Sequence, residues 1–497
     1  MRALVLLGLV PGLALAQPAY EPRALPSPHI YSGGWEHFVG GGVAVFDCNG
    51  DGFDDLYMAG GKNPAQLFVN ETGEAGAELR FSKGEIAPIT QVTGAYPLDI
   101  DSDGMLDLAV LRVGANMLLK GDGDCTFSDA SAAWGFEGGD RWTTAFSATW
   151  EAGQGWPTLA FGNYVDRDDP DGPFEACDAN ELHRHDGAGY GMTPLDPGFC
   201  ALSILFSDWN RDGTQDLRMS NDRHYYVSGG SEQMWAMPEL TLMEGDGWKP
   251  ISIWGMGIAS RDLTGDGRPE VVLTSMGDQL MQIATKDGYE AAPFGIGSYA
   301  HRPYTGDDGR PSTGWHAQFG DVNNDTRPDL FIAKGNVDQM PGLATKDPNN
   351  LLMQGADGVF SEAGDVAGIA NFARSRGAGL VDLNNDGLLD IVVVNRRAEA
   401  ELYQNVSADA GNWLAVSLQL PGANRNAVGA WVEVRAGGVS QEQEVTVGGG
   451  HASGQATALH FGLGAAERAE LRVLWPDGTL SDWQPAGVNE RLIIQKD

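Results

Sequence analysis

Six ten-residue stretches of this chain carry side-chain oxygens in one register. In Asp99-Ile100-Asp101-Ser102-Asp103-Gly104-Met105-Leu106-Asp107-Leu108 they fall at positions 1, 3, 5 and 9. The register recurs as Asp47/Asn49/Asp51/Asp55, Asp208/Asn210/Asp212/Asp216, Asp262/Thr264/Asp266/Glu270, Asp321/Asn323/Asp325/Asp329 and Asp382/Asn384/Asp386/Asp390. Carboxylates at this spacing wrap a hard cation with oxygen ligands, and calcium is the ion that suits them. Glycine at position 6 lets the backbone turn through positive φ. A single acidic run reads as a solvated turn, but six copies in one register do not. An EF-hand would need flanking helices and a bidentate Glu at position 12. That position holds Met58, Val110, Met219, Leu273, Ile332 and Val393, so these are not EF-hands.

Short apolar runs flank each loop, such as Val43-Ala44-Val45-Phe46 before the first and Ile391-Val392-Val393-Val394 after the last. Strand, acidic loop, strand describes a hairpin with a cation at its turn. The loops begin at 47, 99, 208, 262, 321 and 382, and the double gap between the second and third holds Trp150-Glu151-Ala152-Gly153-Gln154-Gly155-Trp156-Pro157-Thr158-Leu159. This stretch keeps the glycine at position 6 but none of the liganding carboxylates, so the loop at 150–158 is a seventh repeat expected to be metal-free. Two other loops depart from the pattern. Thr326 stands where glycine is expected, which strains a β-branched residue at positive φ, and Thr264 with Glu270 alters another, so these two loops are expected to bind most weakly.

Seven repeats of several short strands each predict a seven-bladed β-propeller over residues 17–410. The last repeat lacks an outermost strand, and the segment around His29-Ile30-Tyr31 is expected to supply it and close the ring. From Gly411 the acidic loops stop and alternating strands begin, including Trp413 to Leu418, Ala430 to Val434, Glu442 to Val447 and Leu471 to Trp475. They predict a small β-sandwich-like domain over 411–497 in an all-β chain.

The propeller resembles the FG-GAP/VCBS repeats of integrin α-chain heads. The C-terminal stretch resembles the ASPIC/UnbV domain, through Asn424-Arg425-Asn426-Ala427-Val428-Gly429-Ala430, Leu459-His460-Phe461-Gly462-Leu463-Gly464 and Trp475-Pro476-Asp477-Gly478. The combination is similar to secreted proteins of the cartilage acidic protein type and their bacterial relatives. The resemblance bears on architecture, and a fold does not fix an activity.

The 497 residues carry 68 acidic against 32 basic side chains, a net charge of −36. Six divalent ions would cancel a third of it, and the remaining field disfavours nucleic acid and anionic membrane surfaces. Residues 1–16 read as a secretory signal, with Arg2, an apolar run and Ala14-Leu15-Ala16 as the cleavage site. No later stretch is long enough to span a bilayer, so the chain is expected to be exported. Cys48, Cys125, Cys177 and Cys200 are then expected to be disulfides. Pairing Cys177 with Cys200 closes an irregular loop rich in Gly, Pro and Asp, which leaves Cys48 with Cys125.

No nucleophile elbow, zinc-protease motif or Walker loop is present. Gly448-Gly449-Gly450 follows a strand but opens no helix, so it is no phosphate cradle, and His183-Arg184-His185 reads as an exposed loop. Polar residues recur at the blade end away from the acidic loops: Asn221, Arg223, His224, Trp254, Trp315, His316, Arg374, Arg376, Asn395, Arg396 and Arg397. Arginines beside aromatic rings at a channel mouth would suit an acidic or sugar-like ligand. The function expected is a calcium-binding recognition or adhesion module for an extracellular glycan or protein. The alternatives are a polysaccharide lyase or hydrolase, or assembly through the C-terminal domain.

Overall fold

The computed structural model describes residues 17–496 apart from 173, 223–228, 246–247, 278, 300–312 and 338–346. The signal-like residues 1–16, with Arg223 and His224, lie outside the described residues.

Among the described residues the propeller strands group into seven four-stranded antiparallel units. Their innermost strands are Val43–Phe46, Val92–Leu98, Arg141–Thr149, Ala201–Ser207, Gly255–Arg261, Gly314–Gly320 and Ser375–Val381, each packed on the next and the last on the first. These strands are almost wholly buried, because their two faces pack against the blades on either side and their free edges line the channel. Each acidic loop joins an innermost strand to a second one whose first residue is position 9: Asp55, Asp107, Asp216, Glu270, Asp329 and Asp390, with Thr158 in the degenerate repeat.

The ring closes differently from the sequence expectation. Tyr20–Arg23 is the fourth strand of the last unit, paired antiparallel from Tyr20↔Asn405 to Arg23↔Leu402. Ile30 and Tyr31 add only isolated bridges to Glu399 and Arg396. Pro22 masks the strand in the sequence, yet an edge strand tolerates a proline because its missing N–H costs no ladder bond.

The C-terminal part is a sandwich of two sheets. Asn412–Gln419 lies between Leu459–Gly464 and Glu490–Gln495, and Trp431–Ala436 lies between Val439–Glu444 and Ala469–Leu474, with Gln484–Ala486 at the edge. Leu414, Val416, Val432, Phe461, Leu471 and Val473 fill the space between them.

This sandwich sends one segment back into the propeller. Residues 447–456 run down the channel, where Val447, Gly448, Gly450 and Ser453 bridge Ala148, Leu205, Ile258 and Ala95. Gly454–Ala456 then pairs in parallel with Ala44, Val45 and Phe46 of the first innermost strand. The glycines are required here: a Cβ on Gly450 would lie 2.3 Å from the His316 ring and one on Gly448 2.5 Å from Ser147 Oγ. The channel is therefore plugged by the chain itself.

Two disulfides join Cys48 to Cys125 and Cys177 to Cys200, and among the described residues no cysteine is free. The first links partners 77 residues apart and ties the first acidic loop to the second blade. By loop-closure entropy it contributes about 4 kcal/mol and its fellow about 3 kcal/mol. Alkylation of the denatured protein without reductant is expected to label no thiol, and four labelled cysteines would refute both bridges.

Candidate metal loops

The six acidic loops share one hydrogen-bond scheme. The position-1 carboxylate accepts the backbone N–H of position 6 at 2.7–3.2 Å in every loop. The position-5 carboxylate accepts the N–H of position 7 at 2.8–3.0 Å. Thr326 does sit at φ 79°, where the other loops place glycine.

Position 9 has a further role that spacing did not reveal. In five loops one of its oxygens accepts the N–H of position 2. Asp216 instead takes the indole N–H of Trp209. In all six the other oxygen accepts an N–H from the third strand of the blade or the residue next to it. The buried carboxylate thus pins loop, second strand and third strand together, and each oxygen keeps a lone pair for a cation.

The second loop tests the fit to a cation most directly. Oxygens of Asp99, Asp101 and Asp107 lie within 4.8 Å of one another. Asp99 Oδ1 is buried with no hydrogen-bond partner, an arrangement that is costly unless a positive charge meets it. Burial first, and then the neighbouring carboxylates, push Asp99 up to about 6 and Asp107 to about 7. Burial likewise raises Asp208 and Asp382 to about 6 and Glu270 to about 7. The Lys120 ammonium bridges Asp101 and Asp103, so a cation is drawn to this cluster even from within the protein. Cys48, Asp55 and Cys125 also cluster, but their sulfurs are joined to each other.

The other five loops differ from the sequence expectation that positions 1, 3, 5 and 9 converge on one point. Among the described residues none of them brings three carboxylates as close as the second loop does. In four of them the asparagine at position 3 donates its amide to the carboxylate at position 5: Asn49 to Asp51 at 3.0 Å, Asn210 to Asp212 at 2.9 Å, Asn323 to Asp325 at 3.1 Å and Asn384 to Asp386 at 3.0 Å. The amide oxygens of Asn49, Asn210 and Asn384 in turn accept the backbone N–H of Asp51, Asp212 and Asp386. The cause is the two-faced chemistry of an amide, which offers an oxygen or an N–H. Here the N–H takes up carboxylate charge, and an ion would be met by the oxygen only after the amide turns over. Burial separates these loops further. Asn323 and Asn384 are buried, whereas Asn49 and Asp51, with Asp212, are exposed. Asp47 is half-buried and makes its bonds within its own loop, to the N–H groups of Asn49, Gly50 and Gly52. In the fourth loop Thr264 and Asp266 are exposed, while Asp262 accepts from Gly265 and Gly267. In the degenerate loop Glu151 is held by Arg184 and Thr158.

The loops face the C-terminal sandwich. Arg425 donates to Ser102 O at 2.8 Å, and Glu444 accepts from Ser207 Oγ and Asp208 N at 2.6 and 2.9 Å. Arg211 pairs with Glu442 at 2.9 Å, and Arg491 reaches Asn385 and, at 4.0 Å, Asp382. His460 Nε2 bonds Asn324 Oδ1 at 2.7 Å, while a Cβ on Gly387 would strike the Trp413 ring.

At the opposite end, most of the residues expected to line an open mouth are enclosed. Asn221, Trp315, His316, Arg376, Asn395 and Arg396 are all buried. Arg376 donates to Phe38 O and lies 4.1 Å from the Trp315 ring centre, and Arg396 donates to His37 O. His316 Nδ1 accepts the N–H of His451 at the tip of the plug. The plug and the aromatic residues around it close this end. Trp254 remains 40% exposed, Arg397 is exposed and Arg374 is half-buried. His183 and His185 also differ from expectation: both lie on the strand Asn180–His185, the first buried against Glu181 and the second stacked on Trp156.

Two family models match: the FG-GAP-like repeat over residues 47–110 and 321–393, and ASPIC and UnbV over 420–497. No curated protein matches the chain. Among solved structures, BBS1N in complex with ARL6DN is similar at 9% identity and a TM-score of 0.47, covering 79% of this chain and 98% of that one. YCF48 from Cyanidioschyzon merolae follows at 9% identity and a TM-score of 0.42, with coverages of 78% and 98%. An Agrocybe aegerita lectin described for specific recognition of non-reducing terminal N-acetylglucosamine matches at 15% identity and a TM-score of 0.38, with coverages of 74% and 94%.

Proposed function

The chain carries FG-GAP-like repeats and a C-terminal ASPIC and UnbV domain, and from that premise we propose an exported, calcium-loaded propeller that serves as a recognition module for an extracellular glycan or protein. The observation that carries the cation reading is the buried, unpartnered Asp99 Oδ1 among converging carboxylates. Positions 1, 3, 5 and 9 of the six loops would hold the ions, with the amides of Asn49, Asn210, Asn323 and Asn384 turned oxygen-first. Calcium there would supply charge neutralisation: it lets buried carboxylates stay ionised and stiffens the face on which the C-terminal sandwich sits. Two disulfides support an oxidising compartment. Among the described residues no helix is long and apolar enough to cross a membrane.

Recognition is assigned to the face away from the sandwich. Trp254, Arg374 and Arg397 offer an aromatic surface and guanidinium donors there, which suits an acidic or sugar-like partner. A glycan array on the purified protein identifies the ligand, and product analysis after incubation separates binding from turnover. Trp254→Ala and Arg397→Ala are then each expected to weaken binding about ten-fold with an unchanged melting temperature. Unchanged affinity in both variants would move recognition off this face.

A further inference from the structure

Between the ends of the innermost strands and the C-terminal sandwich lies a cavity of about 310 Å³, room for about ten waters or one monosaccharide-sized molecule. Arg261, at the end of the innermost strand Gly255–Arg261, lines it. Its Nη2 is buried and has no hydrogen-bond partner. The ring of Phe461 lies 5.8 Å from the guanidinium carbon. Asp262 and Asp321 act on this arginine only through space. The cations proposed for their loops would take up that charge, and to that extent the inference rests on the cation reading.

His460 lines the same cavity. Asn324 donates its amide nitrogen to Gly387 O, which leaves its Oδ1 to accept the N–H of His460 Nε2. The tautomer is thereby set, and His460 Nδ1 is a buried acceptor with no partner. A buried guanidinium nitrogen without a partner calls for an anion, and an unpaired imidazole nitrogen calls for a hydroxyl donor. Gln318 and Gln455, bonded to each other, add amide groups to the wall.

We propose that this seam binds a small hydroxy-carboxylate, with its carboxylate on Arg261 and a hydroxyl donated to His460 Nδ1. The fork of an arginine matches a carboxylate with two parallel hydrogen bonds. The apolar wall, which includes Leu380 and Leu418, would accept the carbon face of such a molecule. Occupancy would also bridge the propeller to the sandwich, since Arg261 belongs to one and His460 to the other.

The test is calorimetric titration of the full chain in millimolar calcium with galacturonate and gluconate as probes. Galactose serves as the uncharged control and inorganic phosphate as the simple anion. Atomic analysis of the same sample counts calcium, so a failure of the cation reading registers separately. At least one hydroxy-carboxylate is expected to bind, galactose is not, and Arg261→Gln is expected to weaken binding about ten- to a hundred-fold. Ala458→Phe, which places a ring in the cavity and leaves the guanidinium in the chain, is expected to abolish uptake and decides the matter if Arg261→Gln does not fold. The proposal is overturned if neither probe binds a calcium-loaded sample, if Ala458→Phe binds as well as the parent, or if phosphate binds equally well, which would mark an adventitious ion only.

Discussion

A chain ending at Ala410 is expected to give no cooperative melting transition comparable to that of the full protein. The reason is the channel plug. Removing the C-terminal part strips Gly454–Ala456 from the first innermost strand and withdraws Val447, Gly448, Gly450 and Ser453 from the innermost strands they bridge. An open channel would be left, walled by buried side chains such as His316, Trp315 and Arg376. His451→Ala in the full chain probes the same contact more gently. His451 Nε2 accepts the N–H of Gly40 at 3.1 Å, Nδ1 faces Leu202 O at 3.1 Å, and the ring lies 5.0 Å from that of Trp315. Its loss leaves buried backbone groups unsatisfied beside a cavity, at a cost of about 2–4 kcal/mol. Scanning calorimetry checks both variants. A truncated chain that melts within a few degrees of the full protein would show that the plug is dispensable.

Chelation is expected to lower the melting temperature on the order of 8 °C. With a dissociation constant of about 10⁻⁴ M in 1 mM calcium, each site contributes about 1.4 kcal/mol, and six contribute on the order of 8 kcal/mol. An unfolding entropy of roughly 1 kcal/mol/K for a chain of this length turns that into the shift stated. Asp386→Ala should lower the melting temperature in calcium, while Gln154→Ala in the degenerate loop should not. Two or fewer bound ions at millimolar calcium would overturn the stoichiometry. The pH dependence should change sign with the ion. In cation-free protein Asp107 and Glu270 sit near 7, above their unfolded values, so the native state holds more protons across that interval. Its stability is expected to fall as pH rises from about 4 to about 7. Calcium binds the ionised form and should reverse the slope, which melting curves with calcium and with chelator would reveal.

Much of the acidic-loop geometry was legible along the chain because its parts are local. Positions 1, 3, 5 and 9 lie within nine residues, and position 9 opens the next strand in every repeat, so side-chain spacing and the strand boundary coincide. The degenerate repeat could be recognised for the same reason, from its glycine and its place in the series. Spacing did not show which way an amide such as that of Asn49 or Asn384 faces, since rotation about one side-chain bond exchanges its oxygen and nitrogen. What position 9 does beyond the loop was not legible either. Its second oxygen reaches residues 14 to 25 positions away, a distance set by the length of each blade's own hairpin.

Long-range placement was the province of the folded chain. Gly448-Gly449-Gly450 has the composition of a surface turn, and only the close approach of His316 and Ser147 explains why side chains are excluded there. Arg376 and Arg396 carry charges that put most residues at the surface. They are buried because backbone carbonyls and aromatic rings from distant blades surround them once the ring closes. Tyr20–Arg23 shows the same limit from the other side: its strand exists only because Glu401–Asn405 presents an unpaired edge more than 370 residues later. Chemistry within one loop depends on neighbours in sequence, so residue order displays it. The closing of a ring, the filling of its channel and the burial of a charge depend on neighbours in space, and those were assigned by packing.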